Sequence, residues 1–160
     1  MPIATRAFAA VAADKPLEPY GFDRRDPGPD DVAIEIKYCG ICHSDLSVVD
    51  GSRRRPLPML LGHEAAGTVV EVGAEVRKLA PGQRVVAAFL PRCGDCDACA
   101  TDGRLPCEVG SRSNGAGDLI AGGRRLHGAH GSVAHHLGVS GFATHAVVDR
   151  RSVVPVDSDV

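Results

Sequence analysis

Apolar and polar side chains alternate along several short stretches of the chain. Between Asp31 and Lys37, the apolar side chains of Val32, Ile34 and Ile36 are separated by single polar or small residues. Because a strand points successive side chains to opposite faces, this period of two predicts a strand with one buried face. Pro27-Gly28-Pro29 punctuates the chain just before it.

Similar apolar stretches predict five further strands. Most of them are bounded by Gly, Pro or Asp, which favour turns. The predicted strands are Ala7 to Ala13, Gly67 to Val72, Arg84 to Leu90, Ala143 to Val148 and Ser152 to Val156. Many short strands with little helix indicate a mainly β fold, a small irregular β-barrel.

Helical signals are confined to one place. Ser44 or Asp45 can cap a brief helix that contains Leu46, Val48 and Val49. Residues 108–141 are rich in glycine, so we predict a long loop there rather than regular structure. Loops of that length inside a compact domain are usually functional or mobile.

Length and charge narrow the class of protein. At 160 residues the chain suits one domain, residues 1–160, with a single core. Its formal net charge of -2 argues against a surface built to attract nucleic acid or anionic lipid. No apolar stretch approaches the roughly 20 residues of a membrane-spanning helix, and the N-terminus is a poor match to a signal peptide. We therefore expect a cytoplasmic protein without membrane or nucleic-acid partners.

Six cysteines occur in the chain, and four of them are clustered. Cys93, Cys96, Cys99 and Cys107 supply four soft ligands within fifteen residues. This spacing lets the thiolates converge on one ion, whereas disulfides between such near neighbours are strained. A tetrahedral zinc with four protein ligands has no vacancy for substrate, so we predict a structural zinc lobe at residues 93–107. Unligated thiols in a loop and an iron-sulfur cluster are the alternatives.

A second set of candidate ligands is divided between two segments. Gly40-Ile41-Cys42-His43-Ser44-Asp45 and Gly62-His63-Glu64-Ala65-Ala66-Gly67 place a thiolate, an imidazole and carboxylates beside glycines that permit tight turns. Each segment alone is a weak signal. A Cys-His pair is more often packing than ligation, and a lone histidine can be a hydrogen-bonded core residue.

Together the motifs resemble the zinc-containing alcohol dehydrogenases of the medium-chain family. The resemblance rests on Gly62-His63-Glu64 with Gly67, Gly73 and Val76, on the spacing of the four-cysteine lobe, and on the stretch His136 to Phe142 followed by Val147-Val148. It covers nearly the whole chain. It implies the GroES-like β-barrel of that family.

The resemblance implies a second, catalytic zinc held by one histidine and two cysteines, with the fourth position open. By correspondence, Cys42 and His63 are two of the three protein ligands. Glu64 lies behind the metal, where its carboxylate can perturb or transiently replace a ligand. Asp45 is expected to orient His63 from behind, as metal-bound imidazoles usually require.

The resemblance also implies substrate and cofactor contacts. Ser44 is the expected first proton acceptor from the bound alcohol, and His43 corresponds to a cofactor-binding position. Phe89 and Leu90 correspond to the apolar lining of the substrate cleft. Many relatives carry the proton onward with a histidine where this sequence has Ser47, so the exit of the proton is not assigned.

Part of the family's machinery has no counterpart in the sequence. The third catalytic ligand of relatives is a cysteine shortly after the stretch resembling Ser152 to Val156, and we expect it, with the nucleotide-binding domain, beyond Val160. Cys39 belongs to the strand before Cys42 and is not expected to reach the metal. Gly115-Ala116-Gly117 lacks the preceding strand and the third glycine of a dinucleotide-binding motif.

The expected function is oxidation of primary or aryl alcohols, or reduction of aldehydes, with NAD or NADP once the chain is joined to a nucleotide-binding domain. Residues 16–45 resemble the cinnamyl-alcohol branch and residues 56–156 resemble branches acting on aryl or simple primary alcohols. The alternative is a non-enzymatic zinc-stabilised binding or assembly module. A nucleic-acid-binding zinc finger is disfavoured by the near-neutral charge. The chain alone is expected to be inactive and weakly self-associating, through apolar surface that a second domain would cover.

Overall fold

The computed structural model describes residues 3–89, 91–128 and 131–157. This part of the chain contains ten strands in two sheets. In chain order the strands are β1 (Ile3–Ala10), β2 (Glu18–Arg24), β3 (Asp31–Gly40), β4 (Met59–Leu60), β5 (Glu64–Val72), β6 (Arg84–Ala87), β7 (Leu126–Gly128), β8 (Gly131–His135), β9 (His145–Asp149) and β10 (Val153–Pro155). One sheet closes into a barrel in the order β1-β2-β7-β8-β4, and the other is open, in the order β10-β6-β5-β3-β9. The predicted mainly β architecture with an irregular barrel is confirmed.

The open sheet follows the strand predictions well. Its five strands all fall where apolar stretches predicted them, although β6 ends at Ala87 and β9 begins only at His145. The expected alternation in β3 holds only in part, because Asp31 to Ile34 are all buried. Both faces of that half of the strand are therefore covered by other parts of the chain.

The barrel was predicted less completely. The strand expected at Ala7 to Ala13 is β1, which begins at Ile3 and ends at Ala10. The sequence analysis missed β2, β4, β7 and β8. In β2 only Phe22 and Arg24 are buried, and β4 has just two residues. Neither carries a recognisable apolar period.

The prediction of a long loop over residues 108–141 is wrong. The segment contains the helix α2 (Glu108–Ala116) and the antiparallel pair β7 and β8. Its glycines end elements instead of preventing them. Gly117 lies in the left-handed region at φ 72° and forms the C-cap of α2, where its N–H reaches the carbonyls of Ser113 and Asn114. Gly115 and Ala116 belong to this helix end.

The short helix predicted after Cys42 is confirmed as α1 (His43–Val49). Its N-cap residue is Cys42, and not Ser44 or Asp45 as expected. Asp45 instead acts from the third helical position, where its Oδ2 accepts the backbone N–H of Cys42 at 3.1 Å. Val48 is the buried apolar contact of this helix.

Three apolar clusters are found in the interior of the described part of the chain. The open sheet packs over the largest cluster, which includes Val32, Val69 and Val148. The barrel encloses a second cluster around Leu60 and Phe22. The side chains of Val48, Met59 and Leu61 belong to the third, which anchors α1 beside the barrel. Among the described residues, no helix has both the length and the apolarity needed to cross a bilayer.

Candidate metal and substrate site

The four predicted lobe cysteines converge between β6 and α2. The sulfur atoms of Cys93, Cys96, Cys99 and Cys107 all lie within 4.8 Å of one another. Sγ of Cys93 is 3.9 Å from Sγ of Cys99, and Sγ of Cys96 is 4.0 Å from Sγ of Cys107. Tetrahedral zinc with bonds of about 2.3 Å holds its sulfurs about 3.8 Å apart. The cluster therefore fits zinc in size and in donor type.

Backbone N–H groups bias part of the lobe toward thiolate. Burial raises the pKa of Cys107. A larger opposing effect comes from the N–H groups of Cys93 and Gly110, both 3.3 Å from its sulfur, and from the neighbouring thiols, so the pKa falls to about 6. For Cys99, the N–H of Gly94 favours the thiolate, yet burial and the neighbouring thiols together raise the pKa to about 11. Metal loading must therefore release protons from the set.

Two arginines fasten the lobe. Nη2 of Arg92 donates to the carbonyl oxygens of Ala98 and Cys99 at 3.2 and 3.1 Å. Its Nη1 donates to the carbonyl of Leu105 at 3.2 Å. Arg151, which follows β9, donates from Nη1 to the carbonyl of Cys93 at 3.5 Å. The lobe backbone is thus held by contacts that use none of its sulfurs.

The second predicted cluster also forms. One ligand atom from each of Cys42, His63 and Glu64 lies within 4.8 Å of the others. Cys42 precedes α1, while His63 and Glu64 stand where the chain enters β5. His63 is buried, Cys42 is half-buried and Glu64 is exposed. A thiolate, an imidazole and a carboxylate in this arrangement suit zinc.

Tight backbone geometry brings these segments together. Gly62 adopts φ 85°, and a Cβ there would lie 2.6 Å from Phe142. At Gly40 an added Cβ would meet the Glu64 carboxylate. A side chain at Gly62 would be strained and would press on the Phe142 backbone, whereas one at Gly40 would displace the Glu64 carboxylate from its present position.

Asp45 connects the two segments from beneath. Its side chain is 1% exposed. Oδ2 accepts the N–H of Cys42, and Oδ1 accepts the N–H of Gly62 at 2.9 Å and lies 3.4 Å from Nδ1 of His63. With Nδ1 of His63 engaged by the carboxylate, Nε2 is left to face a metal. Asp45 therefore contacts the ring that the sequence analysis expects it to orient.

The α1 hydroxyls border the same site. Oγ of Ser44 lies 3.4 Å from Nε2 of His63. Oγ of Ser47 donates to the carbonyl of Ser44 at 2.9 Å, so it is occupied within its own helical turn. His43 is exposed at the start of α1.

An apolar groove of about 410 Å³ leads away from His63 and Glu64 along β5 and β6. The Phe89 ring lines it and meets the His63 ring edge-on, with centroids 5.2 Å apart. Phe89 is 49% exposed, so it stands at the groove's mouth. Leu90 lies outside the described residues.

Sequence reasoning gave no role to His136, which follows β8. Its side chain is buried, and Nε2 lies 3.3 Å from Oδ1 of Asp45. Its ring also packs edge-on against that of His63 at 5.4 Å. Burial lowers the pKa of His136 to about 4, against the opposing effect of Asp45. The one available signal was a histidine pair at the end of an apolar stretch.

Cys39 belongs to none of the three groups of candidate metal ligands found among the described residues. It lines an apolar cavity of about 660 Å³ with Phe8, Tyr38 and Phe142. Burial raises the pKa of Cys39 to about 11, so it remains a thiol. The expectation that Cys39 does not reach the metal agrees with this placement.

Comparison with known proteins identifies relatives of this chain. Residues 28–158 match the sequence profile of the alcohol dehydrogenase GroES-like domain. A Mycobacterium tuberculosis protein assigned provisionally as alcohol dehydrogenase D is 36% identical over 153 residues, which are 96% of this chain and 41% of that protein.

Solved structures agree with the sequence comparison. An alcohol dehydrogenase zinc-binding domain protein from Burkholderia ambifaria superposes with a TM-score of 0.90 at 32% identity, over 99% of this chain and 43% of that one. Benzyl alcohol dehydrogenase from Acinetobacter calcoaceticus gives a TM-score of 0.87 at 30% identity, over 99% and 42%. The chain thus spans about two fifths of the length of these relatives.

Proposed function

The chain belongs to the alcohol dehydrogenase GroES-like domain family, and from this premise we propose that it forms the metal-binding and substrate-binding part of a zinc-dependent alcohol dehydrogenase. The observation that carries the proposal is the meeting of Cys42, His63 and Glu64 at the end of the apolar groove. The separate four-cysteine lobe would hold the structural zinc, so we assign the cluster of Cys42, His63 and Glu64 to catalysis.

Two metal sites with different roles belong to this proposal. Cys93, Cys96, Cys99 and Cys107 would hold a structural zinc with every position filled. Cys42 and His63 would hold a catalytic zinc, joined by a cysteine from the further length that the relatives have. NAD or NADP would bind to a nucleotide-binding domain that also belongs to this further length. Residues 1–160 would act as one domain beside it.

A zinc ion at Cys42 and His63 would supply the Lewis acidity that favours loss of the alcohol's proton. The chain's own residues would prepare this step. Asp45 holds Nδ1 of His63 and so fixes the ring orientation. Ser44, whose Oγ lies 3.4 Å from Nε2 of His63, would accept this proton while its own hydroxyl proton passes to water. Glu64 stays near the ligands at the exposed side of the site.

Substrate and cofactor would approach from the open side. The apolar groove and the Phe89 ring favour an apolar chain or an aromatic ring next to the reacting carbon, so we assign primary or aryl alcohols and their aldehydes. The similarity to a benzyl alcohol dehydrogenase supports this class. His43, exposed at the first turn of α1, is assigned to the cofactor. All six cysteines are free thiols, which suits a reducing, cytoplasmic compartment.

The test is a chain fused in frame to a nucleotide-binding domain from a relative. Benzyl alcohol oxidation, followed by cofactor reduction, should require added zinc and should be abolished by His63→Ala. His127→Ala, an exposed histidine on β7, is the matched control and should retain wild-type turnover. Equal turnover in the His63→Ala fusion would refute the proposed catalytic site, and absence of turnover in the wild-type fusion would favour the non-enzymatic zinc module.

A further inference from the structure

We propose that His136 is a positioning residue, which holds the Asp45 carboxylate in the orientation that fixes His63 for metal binding. The inference rests on the proposed function, because it takes Cys42 and His63 as metal ligands. It adds a residue to the site that neither motif spacing nor family resemblance assigned.

The first support is the crowding of donors around one oxygen. Oδ1 of Asp45 has the N–H of Gly62 at 2.9 Å, Nδ1 of His63 at 3.4 Å and Nε2 of His136 at 3.3 Å. These groups come from the entry to β5 and from the residue after β8, while Asp45 itself is on α1. His136 thus links a third part of the fold to the carboxylate.

The second support is that Nε2 of His136 has no aligned hydrogen bond in the described structure. Buried polar nitrogens are normally satisfied, and the exceptions call for a reason. The Asp45 oxygen is at hydrogen-bonding distance from this nitrogen but off the direction of a straight N–H bond. We expect rotation of one of the two side chains to align the pair, which would hold the carboxylate that contacts Nδ1 of His63.

The third support is a contrast with the neighbouring histidine. His135 is equally buried, but its Nε2 accepts the N–H of Arg125 at 3.0 Å and its Nδ1 lies 3.5 Å from Oγ of Ser140. Both ring nitrogens of His135 therefore have partners outside the Asp45 and His63 pair. His136, in contrast, contacts both members of the Asp45 and His63 pair through Nε2 and through its ring.

Loss of a side chain that supports a metal ligand typically costs about 10–100-fold in metal affinity. We therefore expect His136→Phe, which keeps an aromatic ring against His63 but has no nitrogen, to weaken metal binding at Cys42 and His63 by about that factor. His136→Gln retains an amide donor and should recover part of the loss. His135→Phe is the matched control, because it removes an equally buried imidazole that does not face Asp45.

The experiment is a cobalt titration of the chain after its lobe has been filled with one equivalent of zinc. Cobalt bound at the second site should give a thiolate charge-transfer band that Cys42→Ser abolishes. The apparent Kd should rise about 10–100-fold in His136→Phe, with a changed visible d–d spectrum, and should be intermediate in His136→Gln. His135→Phe should titrate like the wild type.

The outcomes separate the inference from the proposed function. A band that is lost in Cys42→Ser but unchanged in affinity and spectrum in His136→Phe would overturn the role of His136 alone. Equal losses in His136→Phe and His135→Phe would overturn it too, since they would indicate a general structural effect. Absence of any Cys42-dependent band in the wild type would refute the metal site itself, and the inference with it.

Discussion

Nη2 of Arg92 donates a hydrogen bond to the carbonyl oxygen of Cys99 at 3.1 Å, so a side chain just outside the four-cysteine lobe holds the backbone of a ligand residue within it. The same guanidinium reaches Leu105 on the far side of the lobe. The sulfurs are therefore brought together by backbone contacts as well as by their own affinity for a metal.

The lobe should retain zinc in the chain by itself. Because all four of its ligands lie within residues 93–107, Cys96→Ser should reduce the zinc content from about one ion per chain toward zero, as ligand loss removes binding free energy coupled to local folding. Elemental analysis after gel filtration measures this. Cys39→Ser, which changes a free thiol outside both clusters, should keep the wild-type content. Unchanged zinc in Cys96→Ser would contradict the lobe assignment.

The chain without a nucleotide-binding part should show no alcohol dehydrogenase activity. Two protein ligands leave the second metal bound weakly, and holding the nicotinamide near the reacting carbon contributes roughly 7–11 kcal/mol in well-oriented reactions. An assay with benzyl alcohol, added zinc and either nicotinamide cofactor checks this. Zinc-dependent turnover that disappears in His63→Ala would show that residues of this chain complete the site.

Weak self-association is expected through the apolar cavity beside Cys39. Phe8 is 53% exposed and Tyr38 is 80% exposed at its rim, and both would gain by burial. The double variant Phe8→Ser with Tyr38→Ser should lower the apparent mass at high concentration in sedimentation equilibrium. Val154→Ser, at an exposed position on the edge strand β10, is the control and should not change it. Identical profiles for wild type and double variant would place any association elsewhere.

Acid should destabilise the fold through His135. Burial, and then the positive charges of Arg24 and neighbouring arginines, lower the pKa of His135 well below 6.5 in the folded state. The unfolded chain therefore binds a proton below pH 6.5 that the folded chain does not. Stability is complete above that pH and falls by about 1.4 kcal/mol per pH unit below it for such a group.

Urea unfolding at a series of pH values tests this slope. His135→Gln should flatten the loss of unfolding free energy between neutral and acid pH, even if it lowers stability at neutral pH. His127→Gln removes an exposed histidine and should leave the slope as it is in the wild type. A slope unchanged by His135→Gln would show that other groups govern acid unfolding.

Two strand glycines should respond differently to alanine. A Cβ at Gly67 in β5 would overlap the carbonyl oxygen of Glu35 in β3, and backbone cannot yield as a side chain can. Gly67→Ala should cost about 1–3 kcal/mol or more, as overpacking does. Gly21→Ala in β2 meets nothing within 4 Å and should be nearly neutral. Thermal denaturation measures both, and equal melting temperatures would contradict the β3 and β5 packing.

Prediction from sequence succeeded where the signal was local. The open-sheet strands carry apolar, β-branched stretches, and the cysteine spacing predicts the lobe. The helix α2 carries no such signal, since its sequence is polar and its N-terminus is capped by the sulfur of Cys107, which accepts the N–H of Gly110. Tertiary context therefore decides its formation, as it does for the two-residue strand β4.

The sequence predicts the candidate site residues, but not the contact that His136 makes with them. Cys42, His63 and Asp45 stand in recognisable motifs, and the fold brings them together as expected. The approach of His136 to Asp45 joins residues far apart in the chain, and nothing in the spacing of either segment implies it. Contacts of this kind follow only from the path of β8 through the barrel.

The two oxygens of Asp45 limit which side chains can take its place. One accepts the N–H of Cys42 and the other accepts the N–H of Gly62, so a single carboxylate joins the start of α1 to the entry of β5. Asparagine has one acceptor oxygen and would turn its NH₂ donors toward an N–H group, while glutamate adds a methylene for which the buried site has no space. No single substitution preserves both bonds. The linkage between α1 and β5 therefore depends on this one carboxylate, whereas substitutions along the apolar groove leave both bonds intact.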